Sequence, residues 1–393
     1  MSYYIYGIRA QYSNNLLIQN NTLIDNGNGI FIEYSSNNNI TENNASNNGN
    51  YGIFLQNQCD NNILSKNYAS NNYYGNIFIA WNSRNNQIIN NTASLGMYGI
   101  LAQYNIDNVT ISNNTISSIS GGNEIDLYSV TNSYVGNNVL SGNTANGIYS
   151  SSSSNIVFEN NNLNNNYRGI YLMQTTNSNV SNNTINNSTE VGIRVESGSN
   201  YNRFASNSIF GGTDGFHVYS SSFNTILNNN ITFNSNGIFL ESTANYNDIL
   251  SNKITNSTTN GILVMSSNNT VSNNTITSNS SPNGIAISSA SNNTISNNTI
   301  SNLSSYGIVL TAASNNTIAN NKINSSTSTS IHLSFHSDYN IINNNTITNT
   351  SEGVFIGDSS NNSISNNTIS VSTNYGISLS NSFNNSIFRN TVA

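Results

Sequence analysis

The stretch SNNTISNNTISNLSSYGIVL, residues 291–310, holds the plan of the whole chain. It contains two N-N-T-I units, Asn292–Ile295 and Asn297–Ile300, followed by a Gly-Ile step at Gly307. The same order recurs from end to end. One anchor can be placed per copy: Gly7, Gly29, Gly52, Asn76, Gly99, Glu124, Gly147, Gly169, Gly192, Gly215, Gly237, Gly261, Gly284, Gly307, Ser330, Gly353 and Gly376. Sixteen steps separate Gly7 from Gly376, a period of about 23 residues. A unit that short cannot bury a core by itself and must stack on its neighbours.

Each copy predicts three short strands joined by turns. The residue after the anchor is Ile in nearly every copy, and the third is usually apolar too. Alternation of period two puts both on one face, where coil-on-coil stacking makes an aliphatic ladder. The two N-N-T/S-I units seed the second and third strands, since β-branched residues suit a pleated surface. Asn suits the corners because it tolerates left-handed backbone and bonds locally, and stacked amides can form a ladder. The anchor glycine is expected to supply a tight bend. The single proline, Pro282, is expected in a loop before Gly284.

Strands of successive coils must run parallel, and parallel crossovers are right-handed. The fold expected is therefore all-β: a right-handed, single-stranded parallel β-helix of about 17 coils, with three short strands in each. Leucine-rich and hexapeptide solenoids fit neither the period nor the residue frame. No linker or shift of composition interrupts the repeat, so residues 1–393 are expected to form a single β-helix domain without evident caps. Uncapped strand edges favour stacking on another copy.

Charged residues make up 6% of the chain, against roughly 25% in ordinary soluble proteins. Asn and Ser supply the polar surface instead. The net charge of −7 offers no basic stripe for nucleic acid and no patch for anionic lipid. No apolar stretch approaches the roughly 20 residues of a membrane helix. Cys59 stands alone, so no internal disulfide forms. The opening MSYYIYGIRAQY lacks the regions of a signal peptide, and a mature or trimmed chain is the expectation.

At these repeats the chain resembles the parallel β-helix repeat proteins of the carbohydrate-binding and sugar-hydrolase group. It is most like their Asn-rich microbial surface branch and is similar to the periplasmic β-helix proteins of nitrous oxide reductase maturation. The resemblance implies the fold. It leaves function open, because lyases, epimerases, adhesins and scaffolds share that fold.

Four groups of candidate residues emerge. Outward positions two and four after the anchor bring Arg194, Glu196, His217, Tyr219 and Glu241 together in three consecutive coils. They would form an acid/base pair beside a cation that holds a sugar acid, or merely an exposed mixed-charge patch; the second is preferred, so no catalytic residue is assigned. Position two also carries Phe31, Phe54, Phe78, Leu101, Tyr149 and Tyr171, expected to form an outward apolar stripe. Such a stripe marks a partner surface, a platform for glycans, or a ladder that stiffens the sheet. Asn-X-Thr sequons at Asn113, Asn182 and Asn273 are candidate glycosylation sites. His332 and His336, with Asp338 nearby, suggest a divalent ion, but exposed solenoid residues are the preferred reading. No metal and no cofactor is expected.

The sequence thus points to a non-enzymatic extracellular or cell-surface solenoid. It would self-associate end to end or laterally, as a filament or surface layer, or act as an adhesin. The first alternative is a polysaccharide-binding module, and the second a polysaccharide lyase, hydrolase or epimerase.

Overall fold

The computed structural model describes residues 4–278 and 283–393, and for Ser325, Val371 and Ser372 the backbone alone. Pro282 lies outside the described residues. The chain is an all-β, right-handed parallel β-solenoid of about 17 turns, about 23 residues apart. Its contacts cluster into two compact units: residues 1–194 with 198–202, and residues 195–197 with 203–393.

Within the first unit, one coil shows the pattern. Its strands are Tyr51–Gln56, Ile63–Ser65 and Tyr68–Ser70. The first pairs in parallel with Gly75–Ala80 of the next coil, Ile53 opposite Ile77 and Leu55 opposite Ile79. All four side chains are fully buried. The second unit repeats this: Ile262 faces Ile285, and Ile285 faces Ile308. The aliphatic ladder expected from the alternation is therefore the core.

The corners are Asn-built, with a division of labour. In Asn297-Asn298-Thr299, Asn297 takes the left-handed conformation at φ 57°. Asn298 turns inward, and its amide donates to Asn321 Oδ1 (3.0 Å) and to the Val271 carbonyl (2.9 Å). Such bonds link Asn43, Asn67, Asn91, Asn114, Asn138, Asn161 and Asn183 in the first unit. In the second they link Asn207, Asn229, Asn252, Asn274, Asn298 and Asn321. Each inner amide gives and takes its bonds inside the protein, so burial leaves little unpaid.

The anchor glycine differs from expectation. Its φ is not positive at any anchor. What excludes a side chain is close approach: a Cβ at Gly261 would stand 2.5 Å from Ile276 Cγ2 and 2.6 Å from the Gly284 carbonyl oxygen. The anchors thus let the third strand's core side chain pack onto the first strand's backbone.

Candidate functional site

The position-two column is built as expected but is not exposed. Phe31, Phe54, Phe78 and Leu101 stack in register, Phe54 and Phe78 with ring centroids 4.8 Å apart and nearly parallel. They are only 6, 7, 4 and 4% exposed. Other aromatic residues cover them. Tyr6 stacks on Phe31 at 4.8 Å, and Tyr51 packs on Phe54 and Phe78 at 4.8 and 5.2 Å. Trp81 leans on Phe78 at 5.9 Å. The stripe is a second, outer core. Beyond Asp126 the column resumes with Tyr149 and Tyr171, 5.1 Å apart, and Arg168 lies 4.8 Å over the Tyr171 ring.

The covering residues form a site of their own. Tyr51, Tyr74 and Tyr98 stand along one side of the column. Trp81 and Tyr104 stand along the other, stacked at 5.1 Å, and Tyr128 meets Tyr104 edge-on at 5.6 Å. Between these walls runs a groove of about 200 Å³ floored by Phe78 and Leu101, with Gln103 on its lining. None of its lining side chains is charged. Burial pushes the Tyr51 and Tyr98 hydroxyls above the ordinary phenol range, and Asp126 adds to this at Tyr98. The Tyr51 and Tyr98 hydroxyls therefore stay protonated at neutral pH and can donate hydrogen bonds. Trp81 and Tyr104 have φ 53° and 71°. Both sit at a coil corner where left-handed backbone recurs, as at the equivalent Tyr12, Tyr34 and Asn57. A larger depression of about 540 Å³ at residues 25–27 and 47–50 is lined only by Asn, Asp and Gly, with no aromatic ring on its walls.

The charged candidates fall in both units. Arg194 belongs to the first unit, where Glu190 lies 3.7 Å from its guanidinium and also pairs with Arg168. Glu196, His217, Tyr219 and Glu241 belong to the second. There His217 Nε2 meets Glu241 at 2.8 Å, while Nδ1 meets Asp214 at 3.3 Å. Asn236 holds the other Asp214 oxygen at 2.8 Å. With both ring nitrogens engaged and one ring face on Phe239 at 4.6 Å, the imidazole must break a bond before it can exchange a proton with a ligand. Asp214 escaped the sequence reading because it precedes the anchor, outside the positions surveyed. His332 and His336 do not converge. His332 is stacked between Tyr306 and Phe355, at 4.6 and 4.8 Å, and burial lowers its basicity. His336 sits exposed on the following turn.

The sequon residues Asn113, Asn182 and Asn273 are exposed, left-handed first members of their doublets. The buried asparagine of each doublet (Asn114, Asn183, Asn274) is the second member and not the acceptor.

The wall residues were missed because they lie one or two before the anchor (Tyr51, Tyr74, Tyr98) or five after it (Trp81, Tyr104). The signal was there: position five holds Tyr12, Tyr34, Trp81 and Tyr104 in four of the first five coils, and mostly small polar residues later.

Residues 2–93, 98–254 and 236–393 match the family described as right-handed beta helix region. The chain belongs to the right-handed β-helix family. No curated protein matches it by sequence. Among solved structures, similar β-helix chains include the A-module of mannuronan C-5 epimerase AlgE6 from Azotobacter vinelandii, at 13% identity over 91% of each chain with a TM-score of 0.40. The catalytic domain of a GH87 α-1,3-glucanase is 14% identical over 74% of this chain and 61% of that one, with a TM-score of 0.44. The periplasmic alginate epimerase AlgG is 12% identical over 91% and 76%, with a TM-score of 0.41. Likenesses this distant carry no argument about activity. Among the described residues no helix is long and apolar enough to cross a membrane.

Proposed function

We propose that this protein is a non-enzymatic, extracellular or cell-surface β-helix that binds polysaccharide along the Trp81–Tyr98 groove. One observation carries the reading: an open trough whose walls are Tyr51, Tyr74 and Tyr98 on one side and Trp81 and Tyr104 on the other. Aromatic side chains offer apolar surface to the C–H patches of a sugar, and phenol hydroxyls meet its rim of hydroxyl groups. The groove lining holds no carboxylate or imidazole to move a proton, which favours binding over turnover. Lateral self-association would need an exposed apolar stripe, and Phe31, Phe54, Phe78 and Leu101 are buried instead.

Trp81 is the chain's single tryptophan, so intrinsic fluorescence reports on this groove. Titration with soluble polysaccharides should give a saturable change in emission, and a Tyr51→Ala, Tyr104→Ala double variant should lose it. Emission that stays fixed across neutral and acidic polymers, with no retardation in polysaccharide-loaded gels, would rule the groove out.

A further inference from the structure

The hydrophobic floor of the groove stops at a carboxylate. Asp126 occupies the register position after Leu101, yet it is 6% exposed. It is held on both sides: Gln103 Nε2 donates to Oδ1 at 2.8 Å, and Asn123 Nδ2 donates to Oδ2 at 2.6 Å. Asn123 is fixed in turn, its Oδ1 accepting from Asn146 Nδ2 at 2.8 Å. The chain Asn146–Asn123–Asp126–Gln103 thus ends on the one amide that lines the groove. With its nitrogen committed to Asp126, Gln103 keeps its Oε1 without a protein partner among the described residues. A hydrogen-bond acceptor is left at the end of an aromatic trough, and no Lys, Arg or His lines that trough.

We infer that the groove takes an uncharged glycan, and that Gln103, aimed by Asp126, reads its hydroxyl groups. This rests on the carbohydrate-binding reading above. A sugar hydroxyl donates to Gln103 Oε1 and completes the amide's bonding. A uronate or sulfate meets phenol donors but no cation, with an amide oxygen and the Asp126 carboxyl nearby, so its charge is left unpaired. Burial and hydrogen bonding in the Asp126 chain fix which end of the amide faces the ligand, as outer partners fix the orientation of a contacting group. Gln103 is the contacting residue, and Asp126 positions it.

The test uses the full chain with three probes: a neutral glucan, the same glucan with its hydroxyls methylated, and polygalacturonate. Trp81 emission and affinity gels read binding. The parent should bind the neutral glucan, bind its methyl ether at least tenfold more weakly, and leave polygalacturonate unbound at low salt. Gln103→Leu should weaken glucan binding about tenfold, the effect of one lost buried hydrogen bond, and should shrink the preference for free hydroxyls to about twofold. Asp126→Asn, which keeps shape and frees the amide to turn, should shrink the same preference. Equal far-UV circular dichroism of the parent and both variants shows that folding is not what changed. Polygalacturonate bound as tightly as glucan would overturn the inference while leaving the groove a glycan site. A full preference for free hydroxyls in both variants would overturn the role of Gln103 and Asp126. Binding of none of the polymers would overturn the inference together with the reading beneath it.

Discussion

Adjacent asparagines of one doublet have opposite environments, and this decides what substitution does to each. Asn90 is exposed and left-handed at φ 57°. Asn91 is buried, donating to the Leu64 carbonyl at 2.9 Å and Asn114 Oδ1 at 3.1 Å, and accepting from Asn67 at 3.0 Å. Asn90→Gly should be close to neutral, and Asn90→Ala should cost up to about 1 kcal/mol, because alanine lacks the local hydrogen bonding by which asparagine tolerates left-handed backbone. Asn91→Ala strands donors of Asn67 and the Leu64 carbonyl, and should cost about 3 kcal/mol. Hydrogen exchange of the amides between residues 64 and 114 measures this, since a solenoid opens locally. Equal loss of protection in Asn90→Ala and Asn91→Ala would refute the division. That asparagines make the corners was legible from the doublets alone. Which member turns inward was not, because both members have the same chemistry and only the three-dimensional corner distinguishes them.

At the scale of one strand, the anchor glycines and their replacements tell a related story. The series of anchors was readable, but glycine was expected to serve a bend; it serves a close approach instead, which no sequence period can reveal. Glu124 stands in that series, fully buried, just before the strand Ile125–Thr131. Burial pushes its carboxyl up to about 9, against partial relief from the Ser141 backbone and the Asn166 amide. Neither makes a well-formed hydrogen bond to it, as both carboxyl oxygens are without a partner. The folded chain therefore holds a proton that the unfolded chain releases above about pH 4.5. Stability falls as pH rises through this window, by up to about 1.4 kcal/mol per pH unit, until the folded group itself ionises near pH 9. At pH 7 the penalty is about 3 kcal/mol. Glu124→Gln removes the titration, so its stability advantage over the parent should grow from pH 5 to pH 9. Melting temperatures of both proteins across that range measure the difference, and parallel curves would show that Glu124 is not the group responsible. The groove at the neighbouring strands was only half legible. Alternation located Phe54, Phe78 and Leu101 on the outer face, but it does not reach the strand margins: Tyr98 opens its strand, Trp81 follows Gly75–Ala80, and Tyr104 falls in the register shift between Gln103 and Ile106.

For the chain as a whole, the fold was legible because the same frame recurs about 17 times, so chance departures such as Asn76, Glu124 and Ser330 could not hide it. A function written into one groove has no such redundancy, and its residues vary from coil to coil. The repeat makes a separate demand. Pairing is between equivalent positions of successive coils, as in Val271 with Ile295 and Ile295 with Ile318. Stability is then close to a sum of coil and nearest-neighbour terms. Excision of residues 293–315 joins Asn292 to Asn316 and preserves the corner, because Asn292 is equivalent to Asn315 and Asn316 to Asn293. Val271 then meets Ile318, and the Asn269 amide finds Asn316 in place of Asn293. The shortened chain should fold, with unchanged β-sheet ellipticity per residue. Removal of residues 293–304 takes out about half a coil and sets strands against turns, so that variant should lose sheet signal and become protease-sensitive. Two deletions of such different length separate register from mass: if the longer one proves the more damaging, the coils are not interchangeable neighbours and the additive account fails.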